Sequence, residues 1–599
     1  MIKLSDYVFE YLRRQGIDTV FTLTGGGIMH LVESMANCGM EYVCCHHEQA
    51  CSIAAQAYGM YQEKLCVCLV TTGPGGTNAL TGLAAAYVDS TPVLFISGQV
   101  KREDYASLRG VRQFGAQEND IISMAKPVCK YAETVQEPED ILYHLQRALK
   151  TATSGRKGPV WLDIPLDVQA AMIEEGGLRG YEEEQVSEKA GCPQTMGEDV
   201  AYTLKCLEES RRPVILAGQG AVSAGALEEV EAFARKHHIP ILTTWRATWM
   251  LDWNDELNFG SPGLQAPRYS NLILQSCDFL LILGSRLDNM ITAFNEEHFA
   301  YRAKKVIVDI DAMEIKKLRM AQLYAVTEDV GTFMQALNQK DSGTGQAADS
   351  DWVRACNEIR EKYPVQGEVQ KVEEGINLYR AAEAISDFCT GRDTIVISST
   401  SRCNTAGHIA FRHKKGQHTI SSMGMGSMGF ALPSAVGAYY ACGKNRVIVL
   451  EGDGSFQLNI QELQTICHYE VDAKIFIFNN SGYAAIKQMQ DRNFAGHHVG
   501  STPDSGVDMP DFGKIANAYG ISYFKVEKDE ELKEAVRRVM EQQGPVICDL
   551  VGSLDFDEIP KCISAVDEET GRRISAYLEN PYPFRTEEMQ GVMDRLSKI

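Results

Sequence analysis

The chain has 599 residues, 44% hydrophobic and 23% charged, with 51 Gly and 19 Pro, which excludes disordered, collagen-like and coiled-coil chains. At about 150 residues per domain this length makes three or four domains. Its 58 basic against 80 acidic residues give a net charge of −22 spread along the chain, which repels a phosphate backbone and argues against nucleic acid. No apolar run reaches the roughly 20 residues that span a bilayer, so a cytoplasmic protein with no membrane partner is expected. The 17 cysteines form no CxxC pair, and several lie in apolar strand-like runs, such as Cys66 and Cys68 in LCVCLV and Cys548 in VICDL. They read as small buried hydrophobes in a reducing compartment.

In chain order, MIKLSDYVFEYLRRQG predicts an amphipathic helix with Ser5 as N-cap, not a signal peptide. EYVCCHHEQACSIAAQAYG predicts a strand and then a helix starting near Glu48. Its His46-His47-Glu48 cluster invites a zinc reading, but no HExxH or CxxC spacing accompanies it. Glu48 alone also fits a charge placed at a helix N-terminus. Short apolar runs then recur: CVCLVTTG (66–73), PVLFISG (92–98), PVWLDIP (159–165), PVILAG (213–218), FLLILG (279–284) and KVIVDID (305–311). TIVISS (394–399), RVIVLEG (446–452), KIFIFNN (474–480) and PVICDLV (545–551) continue the series. Continuous apolar strands alternating with helices mean parallel sheets covered on both faces, with ligands beyond the strands' carboxyl ends. Residues 175–197 and 339–351 read as polar connectors. They divide the chain into α/β domains 1–180, 195–340 and 352–555, with a tail at 556–599.

The strongest local signal follows RVIVLE. Gly452-Asp453-Gly454-Ser455 opens a helical stretch (FQLNIQELQTICHY), and the next strand ends in Asn479-Asn480-Ser481-Gly482. Glycines let backbone N–H groups approach a phosphate, and a helix start favours anionic charge. Asp453, the Asn480 side-chain oxygen and a carbonyl near Gly482 are hard oxygen donors of the kind Mg²⁺ takes.

This GDG…NN pair resembles the signature of the thiamin-diphosphate enzymes. The resemblance implies three Rossmann-like parallel-sheet domains, of pyrimidine-binding, central and diphosphate-binding type. It makes Asp453, Asn480 and Gly482 the Mg²⁺ ligands and Gly452, Asp453, Gly454 and Ser455 the diphosphate turn. Gly426-Ser427-Met428-Gly429-Phe430-Ala431-Leu432-Pro433 resembles the family's Gly-x-Met-Gly-Phe-x-Leu-Pro stretch. Gly426 then contacts the cofactor and Met428 is the wedge that bends it; read alone, Met428 is equally a core residue. His47-Glu48-Gln49-Ala50 resembles the context of the activating Glu, which shares its proton with the aminopyrimidine N1′ and promotes loss of the C2 proton, with the first Ala displaced. Because Glu48 and Asp453 lie in different domains, the resemblance implies a site shared between two chains, hence a homodimer or homotetramer.

Within the family the chain is most similar to acetolactate synthase. VFTLTGGG resembles that group's Pro-Gly-Gly loop, with Thr24 for Pro and with Gly25 and Gly26 at the cofactor. LVTTGPGGTNALTGLAAAYVDSTPVLFISGQV matches closely, carrying over Pro74 and Asn78, and GAQE (115–118) carries over Gln117 as catalytic. AGQGAVSAG (217–225), GSRLD (284–288) and VDIDAMEI (308–315) resemble the regions that hold a non-redox FAD, although GQGAVSAG alone is a weak dinucleotide signal.

Four departures concern the acceptor. Met290 stands for the Arg that holds the carboxylate of the second 2-keto acid, Met489 for a substrate-sizing Trp, Ala116 for Phe and Leu166 for Lys. An unpaired acceptor carboxylate costs about 2 kcal/mol or more. The donor half of the site is thus retained and the acceptor half remodelled, a pattern similar to relatives that attach a two-carbon unit to nucleotide-linked keto sugars. Three readings stay open: two-carbon transfer from a 2-keto acid such as pyruvate to a bulky carbonyl acceptor, acetolactate synthesis, and a non-catalytic cofactor-binding protein.

Overall fold

The computed structural model describes residues 1–182, 193–343, 350–368, 372, 374–566, 573–575 and 577–599. Parts of both expected connectors (183–192 and 344–349) lie outside the described residues. Three parallel sheets carry the chain. The first comprises β1 (Thr19–Leu23), β2 (Glu41–Cys44), β3 (Cys66–Val70), β4 (Val93–Gln99), β5 (Tyr131–Thr134) and β6 (Val160–Pro165), in the order β2-β1-β3-β4-β6-β5. The middle sheet comprises β7 (Pro213–Ala217), β8 (Ile241–Thr243), β9 (Phe279–Leu283), β10 (Lys304–Asp309) and β11 (Leu323–Thr327), in the order β8-β7-β9-β10-β11. The third comprises β12 (Thr394–Ile397), β13 (Thr419–Ile420), β14 (Val447–Gly452), β15 (Ala473–Asn479), β16 (Ser522–Val526) and β17 (Val546–Val551). Its order, β13-β12-β14-β15-β17-β16, repeats that of the first sheet. This is the α/β architecture that the alternating apolar runs predict: β3, β4, β9 and β14 are buried along their whole length, as strands covered on both faces must be.

Order fixes where ligands can sit. In both six-stranded sheets the chain leaves the first strand in opposite directions, so a crevice opens between β1 and β3 and between β12 and β14 at their carboxyl ends. The two sheets meet through helix α1 (Glu48–Gln62) and helix α3 (Ala431–Ala441), with α2 (Pro74–Val88) beside α1. The contact is close because it is made of small residues; a side chain at Gly437 would run into the carbonyl of Ala54.

Two other segments pack on the middle sheet. Trp352, on the helix Ser350–Lys362, is fully buried and donates to the carbonyl of Pro213 at 3.1 Å. The C-terminal helix Thr586–Leu596 buries Met589, Val592, Met593 and Leu596 in the same core.

The N-terminal helix runs Leu4–Arg14, and its cap position is Lys3, not Ser5 as the sequence predicts. Ile2–Lys3 pairs antiparallel with Met172–Ile173, which starts the helix earlier, and the Ser5 hydroxyl instead accepts from Ser34 Oγ at 2.8 Å inside it. The stretch after Gly454 is not one helix either: Asp453–Gln457 and Glu462–His468 are separate.

Asp163 on β6 is buried opposite Ser97 of β4, which donates to it at 2.5 Å, with Gln99 Nε2 at 3.1 Å. Burial outweighs these bonds and pushes its carboxyl up to about 7. The folded chain therefore keeps a proton that the unfolded chain has released, and this residue's contribution to stability falls as pH rises between about 4 and 7. Asp163→Asn is expected to flatten that slope in denaturation midpoints measured across the same window; an unaltered slope contradicts it.

Candidate active site

The register Gly452↔Phe478 between β14 and β15 brings the turn after one strand against the turn after the other. Asp453 opens α4 (Asp453–Gln457) and is 3% exposed. Its Oδ1 accepts from Gly454 N–H at 2.8 Å, and its Oδ2 from Asn480 N–H at 2.9 Å and Gly482 N–H at 3.3 Å. Burial pushes the carboxyl up to about 6. The buried Asn480 Oδ1 has no hydrogen-bond partner among the described residues. An orphaned acceptor beside a buried carboxylate fits an oxygen-seeking cation, which wants one charge and neutral oxygens rather than a cluster of charged ligands. A side chain at Gly454 would enter the Tyr483 ring, and one at Gly482 would meet the Ser501 carbonyl at 2.7 Å.

The loop before α3 folds over this turn. Gly429 (φ +78°) donates to Ser455 Oγ at 2.8 Å, Gly426 has φ +64°, and Met428 is half-buried between them rather than in the core. Behind the turn Glu451 is fully buried. Burial pushes it up to about 7, and its Oε2 has no partner.

A second cluster forms at the carboxyl edge of the first sheet. His47 caps α1, its Nδ1 accepting from Gln49 N–H at 3.0 Å, which gives that imidazole a helix-capping job. Glu48, 8% exposed, accepts from Asn78 Nδ2 of α2 at 3.0 Å. Gly25 and Gly27 press on Thr71 and Thr72 so closely that a side chain would clash, while above Gly26 the space is open. Pro74 begins α2, and Gly73 (φ +72°) packs on the backbone of Gln117, itself exposed with φ +66°. The two clusters belong to sheets tied by Asn459 Nδ2 to Gln49 Oε1 (3.1 Å) and His46 N–H to Glu462 Oε1 (3.1 Å).

Three family descriptions match the chain in order: thiamine pyrophosphate enzyme, N-terminal TPP binding domain (residues 2–124), central domain (200–337) and C-terminal TPP binding domain (400–550). The acetolactate synthase large subunit of Cyanidium caldarium is 30% identical over 555 residues, 91% of this chain and 92% of that protein. The isozyme 2 large subunit of Escherichia coli (strain K12) is 30% identical over 91% of this chain and 94% of its own. Acetolactate synthase 3 of Brassica napus is 31% identical over 92% and 83%. The chain belongs to the thiamin-diphosphate enzyme family. It is an enzyme of the acetolactate synthase type, with domains that bind thiamin diphosphate. No described helix is long and apolar enough to cross a membrane.

This thiamin-diphosphate enzyme has a further cleft, about 1370 Å³ including its open mouth, between the middle sheet and the two outer ones. GSRLD and Asp309 line it, the latter at the end of β10. Of the four departures only Met290 reaches this cleft. Met489 is exposed on α5 (Ala484–Phe494), Ala116 is exposed in the loop before Gln117, and Leu166 is half-buried beyond β6. The sequence reading missed Arg246, which enters the same cleft beside Trp245 and Arg286. The signal was an arginine within the otherwise apolar Trp245–Met250 turn after β8.

Proposed function

We propose that this enzyme decarboxylates a 2-keto acid, pyruvate in the first instance, and transfers the two-carbon unit to a carbonyl acceptor of the nucleotide-linked keto sugar class. The observation that carries it is the contrast between a donor site that keeps Glu48–Asn78 and Asp453–Asn480 and a cleft that shows Met290 where an acceptor-binding arginine is expected. Thiamin diphosphate supplies the electron sink for decarboxylation. Asp453, Asn480 Oδ1 and the Gly482 carbonyl would hold Mg²⁺, and Gly452, Gly454 and Ser455 the diphosphate. Glu48 holds or releases a proton at the aminopyrimidine, with Asn78 fixing its carboxylate, while Gly25, Gly26, Pro74 and Gln117 close that end. Gly426 and Met428 pack on the cofactor from the other side. Glu48 and Asp453 meet across a subunit boundary in a homodimer or homotetramer.

Acetolactate synthesis from two pyruvates is the second reading, favoured by the relatives' names. Incubating the holoenzyme with pyruvate separates the two: acetolactate supports the second, carbon dioxide release that requires an added keto sugar supports the first. Under the first, Met290→Arg with Met489→Trp is expected to raise kcat/KM for pyruvate as acceptor on the order of tenfold. A wild type already efficient with pyruvate and not improved by the pair contradicts it.

FAD fits the middle cleft by its space and by Asp309 at a strand end, where a ribose hydroxyl is commonly bound. Purified enzyme is then yellow, with flavin released on denaturation; a colourless preparation that takes up no added FAD overturns this assignment.

A further inference from the structure

Arg246 is 9% exposed, and its buried Nε has no acceptor among the described residues. Its Nη1 donates to the backbone carbonyl of Asp89 at 3.3 Å. The carboxylate that acts most strongly on it, that of Asp89, is already held by Gln56 Nε2, Ser422 Oγ and Gly424 N–H. A buried guanidinium is costly unless its donors are used.

Two other cations of the cleft are better satisfied. Arg156 meets Ser90, Asp311 and Glu314, and Lys157 meets Glu63 and the Ser223 carbonyl. Arg286 makes only long bonds, 3.4 Å to the Val88 carbonyl and 3.4 Å to Asp288. Spare donor capacity thus gathers on the neighbouring Arg246 and Arg286, which bond the adjacent Asp89 and Val88 carbonyls in the cleft that Met290 and Met423, of the loop preceding Met428, also line.

We propose that Arg246, assisted by Arg286, holds the anionic group of the carbonyl acceptor, a carboxylate or a phosphate. The anchor absent at Met290 is supplied from a different strand end. A guanidinium fork matches either anion bidentately, so a bulky acceptor keeps its orientation although the usual arginine is gone. The proposal rests on the carboligase reading above.

The test compares Arg246→Met, Arg246→Lys and wild type as holoenzymes, with pyruvate as donor and either pyruvate (anionic) or acetaldehyde (uncharged) as acceptor. The ratio of kcat/KM for the anionic over the uncharged acceptor is expected to fall roughly 10- to 100-fold in Arg246→Met, the loss of a charge-assisted pair, and to recover in part in Arg246→Lys. An unchanged ratio in folded Arg246→Met overturns the proposal. So does loss of bound flavin with an unchanged ratio, which would give the arginine to a dinucleotide phosphate. If wild type releases no carbon dioxide from pyruvate with any added acceptor, keto sugars included, the carboligase reading has failed instead. Calorimetry with inorganic phosphate then still reads the anion site: weaker binding by Arg246→Met supports it, and equal binding overturns it.

Discussion

Asp453→Ala is expected to lower the affinity for thiamin diphosphate and Mg²⁺ together, by about 100-fold or more, since one carboxylate serves both metal and turn. Besides the charge it would offer a metal, Asp453 collects the N–H groups of Gly454, Asn480 and Gly482, so its removal also frees the turn after β15. Asn480→Ala separates the two effects: it deletes the orphaned Oδ1 and leaves the backbone bonds in place. Calorimetry should find both variants weakened, Asp453→Ala more so. Unchanged cofactor affinity in Asp453→Ala refutes the assignment.

The second large effect concerns Glu48. Glu48→Gln keeps the shape and an oxygen for Asn78 Nδ2, so the cofactor is expected to bind within a few-fold of wild type. Gln cannot exchange a proton with the aminopyrimidine. Exchange of the cofactor's C2 proton with solvent, followed by NMR, should slow by roughly 10²- to 10⁴-fold, the span typical of losing a positioned acid–base group. Exchange as fast as in wild type removes Glu48 from the role.

What was legible in the sequence follows from where each element sits. Interior strands such as Cys66–Val70 and Val447–Gly452 are buried on both faces and show as unbroken apolar runs. Four of the six edge strands of the parallel sheets, β5 (YAET), β11 (LYAVT), β13 (TI) and β16 (SYFKV), are two residues long or carry polar residues, because one side lacks a neighbour, and no run marks them. Ser5 has the chemistry of a cap and lost the position to a distant pairing with Met172–Ile173, which no local pattern announces. The helix Thr586–Leu596 is amphipathic, but that its apolar face covers the middle sheet is decided by residues some 300 positions upstream in the same core.

The candidate site divides the same way. Asp453, Asn480, Glu48 and the glycines stand in short contiguous motifs after strands, so sequence and topology both point to the carboxyl ends of the sheets. The proposed acceptor site draws on separate strand ends, with Arg246 following β8 and Met290 following β9. A substitution scored at one motif position cannot report an arginine entering from another. Of the four departures, Met290 lines this cleft, and Ala116, Met489 and Leu166 lie outside it.

On the proposed function, this chain removes carbon dioxide from a 2-keto acid and hands the remaining two carbons to a carbonyl compound. The measurement that tests it most directly gives purified protein pyruvate labelled at C2 and C3, with keto acids and keto sugars as acceptors, with and without thiamin diphosphate and Mg²⁺. Product masses are read alongside released carbon dioxide. The account predicts a labelled two-carbon unit on an acceptor, formed only when both cofactors are present and absent in Glu48→Gln. Carbon dioxide release that ignores the cofactors, or no labelled product with any acceptor, contradicts it.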